Sequence, residues 1–97
     1  MVLLRLSLVI VFSALTASFA QAQDGGQLAQ SIGCMGCHDL TQAKMGPSFS
    51  DIAAQYKGQA DAAAKLAAKL KNGAGHPKAD ATDAELQQLI AYVLATP

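Results

Sequence analysis

Apolar residues along this chain recur at helical spacing, and nowhere do they alternate with polar ones as a half-buried strand requires. The clearest stripe is the last. Leu86, Leu89, Ile90, Val93 and Leu94 fall at i, i+3, i+4, i+7 and i+8, which is one face of a helix. Thr82-Asp83-Ala84-Glu85 just ahead of it is a capping-box pattern, and Pro97 lies beyond its end. Upstream, an alanine-rich stretch from Gln59 or Asp61 to Asn72 carries Leu66 and Leu70 one turn apart. Lys69, Lys71 and then Gly73 supply the chemistry of a helix C-terminus. Phe49, Ile52, Ala53 and Tyr56 define a shorter helix, opened by Pro47 or Ser48 and closed by Lys57-Gly58. A first helix is predicted from Asp24, as N-cap, through Gln27–Ile32, with Leu28 and Ile32 as a narrow inward stripe and Gly33 as its stop. Polar residues 39–44 with the Gly46-Pro47 turn, and residues 74–81 with Gly75, His76 and Pro77, read as loops. The fold class is all-α, with four short helices.

Composition changes the picture at the N-terminus. Of 97 residues 52% are hydrophobic, but much of that excess is alanine and the opening stretch. Residues 1–22 carry one charge, Arg5, then an apolar run from Leu6 to Leu15, and end in Ala17-Ser18-Phe19-Ala20-Gln21-Ala22. That is the pattern of a secretory signal peptide, with cleavage expected before Gln23 and Ser18-x-Ala20 as the alternative site. The apolar core is short for a span of roughly 20 residues, so no stable membrane insertion is expected after cleavage. Residues 23–97 then form one small domain. Without Arg5 its lysines fall one short of its acids, no arginine remains and no basic stripe exists, so nothing suggests nucleic-acid binding and none is expected. A domain this small buries little core and needs a staple.

Candidate chemistry supplies one. Cys34-Met35-Gly36-Cys37-His38 is the C-x-x-C-H attachment signature for c-type haem, and it holds the only two cysteines in the chain. The thiols form thioethers to the haem vinyl groups, and the next residue places an imidazole on the iron. A thioredoxin-like pair needs a βαβ setting that this pattern lacks. A closed zinc site needs four ligands, and only His76 is left to join these three. A disulfide across two residues would constrain almost nothing. Covalent haem c is the reading, and the apolar macrocycle is the staple.

The ordered set Cys34, Cys37 and His38, Gly46-Pro47 with Phe49 and Ile52-Ala53-Ala54, Tyr56 with Gly58, the alanine-rich helix to Gly73 and Tyr92 resembles the class I cytochromes c. The likeness is to the small bacterial c-551 and c-552 kind, over nearly all of residues 23–97. It implies that the terminal helices cross, with Ile32 against the Tyr92 face. It also implies that a backbone carbonyl near Pro47 accepts from His38 Nδ1, and that Phe49 and Tyr56 pack in the core or on the haem. A one-electron carrier in the periplasm is implied, with redox proteins as partners; a dimer or a subunit of a redox complex stays open.

One departure stands out. Relatives carry an iron-binding methionine in the loop before the last helix, whereas Gly75 to Glu85 contains none. Met1 lies in the leader, Met35 in the attachment segment, and Met45 beside Gly46-Pro47 on the expected proximal side. His76 is the candidate distal ligand, between Gly73, Gly75 and Pro77. A solvent-exposed loop histidine is the bland competitor, and Lys78 would first have to lose its proton. Two imidazoles suit electron transfer at a lower potential than histidine and methionine give. An open sixth site would instead make a gas-binding or sensing haem protein. Peroxidase-type enzymology, which needs distal acid–base groups, ranks last, so no enzyme is expected. Lys44, Lys57, Lys71 and Lys78 are candidates to steer an acidic partner, or plain solvated surface.

Overall fold

A computed structural model describes residues 17–97; the leader expected over residues 1–22 lies largely outside them. Four helices follow in order: α1 (Ala17–Ser31), α2 (Phe49–Gln55), α3 (Ala62–Asn72) and α4 (Asp83–Leu94), with a single 3-10 turn, Cys34–Gly36, after α1. Among the described residues there is no strand.

Helix α4 is the hub, for α1, α2 and α3 all pack on it. Its start is the predicted box: Glu85 N–H donates to Thr82 Oγ1 at 3.2 Å, and Thr82 N–H donates to the Glu85 carboxylate at 3.2 Å. Leu86, Leu89, Ile90 and Val93 are buried, as the stripe requires. Each such side chain contributes about 1.5–3 kcal/mol on leaving water. Helix α3 ends on Gly73, whose left-handed φ of 68° lets its N–H return to the Lys69 carbonyl at 3.0 Å. Gly33, at φ 90°, ends α1 in the same conformation.

Two expectations need correction. In the uncleaved chain α1 is described from Ala17 to Ser31, so Asp24 lies inside it, whereas a chain cleaved before Gln23 would have Asp24 at its start. An N-cap must leave the helical conformation, and Ala17 to Gln23 contain no glycine or proline to force that. The inward face of α1 is also not the Leu28–Ile32 stripe alone. Ala29 is the most buried apolar residue of the core, and Gly25 is buried with it. A Cβ on Gly25 would stand 2.5 Å from Tyr92 Cβ and 2.6 Å from the Gln88 carbonyl oxygen. Tyr92 is thus met by Gly25 and Gly26, and Ile32 packs on the core two turns further along. Small residues decide this crossing because they let the two backbones come together.

Candidate haem site

The attachment segment is fixed by its own backbone. His38 N–H and Cys37 N–H both return to the Cys34 carbonyl, at 3.0 and 3.2 Å, which closes a tight turn around the two thiols. The loop that follows is stitched back onto it. Gly46 N–H donates to the Cys37 carbonyl at 2.8 Å, Phe49 N–H to Asp39 at 2.9 Å and Ser50 N–H to Leu40 at 3.0 Å. Ser48, wholly buried, caps α2 by accepting from Asp51 N–H at 3.0 Å. Asp39 accepts from the Thr41 and Gln42 N–H groups, each at 3.1 Å, and these bonds hold its carboxyl below the usual aspartate range.

Into this frame the chain sets a buried imidazole. His38 Nδ1 lies 2.6 Å from the Pro47 carbonyl oxygen, the bond the resemblance implied. A carbonyl only accepts, so Nδ1 carries the proton and Nε2 of the neutral ring is left as the free base. Gly46 lies against the ring: a Cβ there would be 2.5 Å from Cε1 and 2.9 Å from Nδ1. Phe49 covers it at 5.5 Å between ring centres and meets Tyr92 edge-on at 6.3 Å, which ties the site to α4.

Facing this ring is the second histidine. The His38 and His76 ring centres are 6.0 Å apart and their planes differ by 15°. His76 is half-buried, and its Nδ1 is 2.6 Å from the Pro77 carbonyl oxygen, which again leaves Nε2 free. Two bonds of about 2 Å from imidazole nitrogen to a metal, with about 1 Å from each nitrogen to its ring centre, also place the centres about 6 Å apart. The spacing of the two rings is compatible with a haem iron held by both Nε2 atoms. Among the described residues no three histidine, cysteine, aspartate or glutamate side chains converge as a cage, which removes the zinc alternative. The disulfide-exchange alternative fares no better: burial pushes the Cys34 thiol of the bare polypeptide up, opposite to what a reactive thiolate needs.

Met45 is 89% exposed, and Met35 packs against the core. Lys44 donates to the Met35 carbonyl at 3.1 Å, and Lys71 pairs with Asp83 at 3.0 Å, so two of the four candidate steering lysines are engaged locally. Sequence reasoning missed two groups here. Gly46 reads as a turn residue but serves as the ring's floor. The Pro77 carbonyl is backbone, so no residue type announces it; only the His-Pro pairing hints at it.

Comparison with known proteins shows the family. The family described as cytochrome c oxidase, cbb3-type, subunit III matches residues 20–93. Cytochrome c-552 of Hydrogenobacter thermophilus is 42% identical over 76 residues, covering 71% of this chain and 78% of that protein. Cytochrome c-551 of Pseudomonas aeruginosa is 36% identical over 88 residues, covering 84% and 85%. The crystal structure of Nitrosomonas europaea cytochrome c552 superposes with a TM-score of 0.63 at 30% identity, over 74% of this chain and 99% of that one. The chain belongs to the c-type cytochromes, the small monohaem electron carriers of the c-551 and c-552 kind, and its cofactor is one haem c held through Cys34 and Cys37.

Proposed function

We propose that this protein is a periplasmic one-electron carrier whose iron is held between His38 and His76. The observation that carries the reading is the facing pair of imidazoles, 6.0 Å apart and 15° from parallel. Haem supplies one-electron chemistry when bound, the iron changing its charge by one. The chain's part is to keep the surroundings the same in both states. His38 is held on three sides, by the Pro47 carbonyl, by Gly46 and by Phe49, so its ring has no freedom to follow a change of charge. Phe49 and Pro47 are assigned to the haem contact on this basis. His76 stands in the loop between α3 and α4, where no methionine is available. With His38 and His76 both holding the iron there would be nowhere for a substrate, in keeping with a carrier rather than an enzyme. The secretory leader in the sequence supports export, and no helix among the described residues is long and apolar enough to cross a membrane.

The test is optical and EPR spectroscopy of the purified haem protein beside His76→Ala. The native protein is expected to be low-spin in both oxidation states. The variant is expected to turn high-spin when reduced and to bind CO rapidly. A low-spin spectrum that the substitution leaves unchanged removes His76 from the iron. A native ferrous form that is already high-spin makes the protein a gas binder instead.

A further inference from the structure

The two histidines share more than a distance. Each donates from Nδ1 to the carbonyl of a proline, Pro47 for His38 and Pro77 for His76, and both bonds measure 2.6 Å. The two are built differently. Pro47 is nine residues from His38 and is brought to it by a folded loop, whereas Pro77 is the very next residue after His76. The proline ring fixes φ at about −65° and removes the N–H, which limits where the Pro77 carbonyl can go. Gly73 and Gly75, with φ of 68° and 71°, turn the chain just before it. Ala79 N–H donates to the Leu70 carbonyl at 2.9 Å and fastens the segment to the end of α3 just after it. A solvated surface histidine has no cause to align with a buried ring across the site, yet these planes differ by only 15°.

We infer that His76-Pro77 is a self-contained ligand unit. In it the Pro77 carbonyl fixes the tautomer and plane of the distal imidazole, and matches on that face what Pro47 does on the other. The inference rests on the axial reading above. A carbonyl that accepts from Nδ1 makes the imidazole a stronger electron donor at Nε2. Two such imidazoles favour the more highly charged iron, where a methionine would favour the less charged one. This sets the carrier to take electrons from partners more reducing than those a histidine–methionine cytochrome of the same fold accepts. In the exchange a reduced protein partner loses one electron to the haem, and no proton or bond moves in the chain. Pro77 is a positioning residue; it acts only through His76.

The experiment compares the haem-loaded native protein with Pro77→Ala, Pro77→Gly and His76→Ala, using potentiometry, EPR of the oxidised form and titration with free imidazole. The native spectrum is expected to be rhombic, with three resolved g values, the signature of near-parallel imidazole planes. Both Pro77 variants are expected to stay low-spin, with a raised potential and altered g values. Free imidazole is expected to displace His76 more readily in them, by up to about tenfold: the carbonyl at position 77 remains but the proline ring no longer holds it in place, so the effect stays at or below the lower end of what removing such a partner costs. Glycine should exceed alanine, because it loosens the backbone further. A potential, spectrum and imidazole affinity identical to native in both Pro77 variants overturns the positioning role while leaving the axial reading standing. A single large-g signal in the native protein means crossed planes and overturns the match. A low-spin spectrum unchanged in His76→Ala overturns the axial reading and this inference with it.

Discussion

Replacing Gly46 with alanine puts a methyl group where the His38 ring already is. The new Cβ would stand 2.5 Å from Cε1, 2.9 Å from Nδ1 and 3.1 Å from Nε2. Carbon atoms rest about 3.5–4.0 Å apart, so roughly 1 Å of movement has to be found. The ring has little room to provide it. Its Nδ1 is tied to Pro47 at 2.6 Å, and Phe49 lies on it at 5.5 Å between centres. Nor is the glycine free to retreat, because its N–H is bound to the Cys37 carbonyl at 2.8 Å and its carbonyl accepts from Lys44 N–H at 3.0 Å. Overpacking of this kind costs about 1–3 kcal/mol, and breaking the ring's hydrogen bond adds about 1 kcal/mol. A total of about 2–4 kcal/mol lowers the melting temperature of a domain this size by roughly 10–25 °C. Thermal unfolding of the haem protein followed by far-UV circular dichroism measures it, and the NMR shift of the His38 Nδ1 proton reports the bond directly. Ala43→Ser is the control, an exposed position in the polar loop away from the ring. That control is expected to stay within about 0.5 kcal/mol of native. A Gly46→Ala protein that melts less than about 3 °C below native, with the Nδ1 proton unmoved, would refute the claim that the glycine is the floor of the ring.

Gly25→Ala tests the helix crossing. Its Cβ meets Tyr92 Cβ at 2.5 Å and the Gln88 carbonyl at 2.6 Å, so two backbones must separate and a loss of at least about 2 kcal/mol is expected in chemical denaturation; an unchanged midpoint would mean that α1 and α4 do not meet there. Asp39 gives a pH dependence. Its carboxyl is held low first by the Thr41 N–H, then by that of Gln42, so the stabilisation is complete above the ordinary aspartate value of about 4 and disappears as pH falls through the depressed folded value. An NMR titration should find its midpoint below that of an unstructured aspartate, and a midpoint at or above it would dismiss the turn.

The helices could be read from the sequence where a helix signals its own ends. Thr82 and Glu85 form the box their spacing promised, Gly73 turns α3 at the expected residue, and Ser48 rather than Pro47 proves to be the cap of α2. Such signals are local: the residues that satisfy the end lie within one turn of it. The start of α1 differs because Asp24 is a good cap only where the chain before it is not helical, and in the uncleaved chain residues 17–23 are helical. Gly25 escaped for the opposite reason. In a helix glycine is a weakness by itself, and its value is visible only against Tyr92, which is 67 residues away in sequence. The site divides the same way. C-x-x-C-H and a histidine in a methionine-free loop are residue-type signals, whereas the two carbonyls that orient the imidazoles are backbone atoms whose positions depend on the folded chain.

The loop between α3 and α4 is closed at both ends, by Lys71 with Asp83 at 3.0 Å and by Ala79 N–H on the Leu70 carbonyl at 2.9 Å. The ion pair is largely exposed, with 59% and 72% of its side chains accessible, and such pairs contribute about 0–1 kcal/mol, less in salt. The hydrogen bond and the packing of Ala79 and Ala81 on the core therefore hold the loop. A group carried on so short a tether experiences an effective concentration of about millimolar or more at the place it faces. If His76 sits on the iron, a freely diffusing small molecule has to outcompete a ligand that cannot diffuse away when it is displaced. The loop's anchorage, as much as the chemistry of its histidine, would then keep the sixth position closed to dissolved gases at micromolar levels.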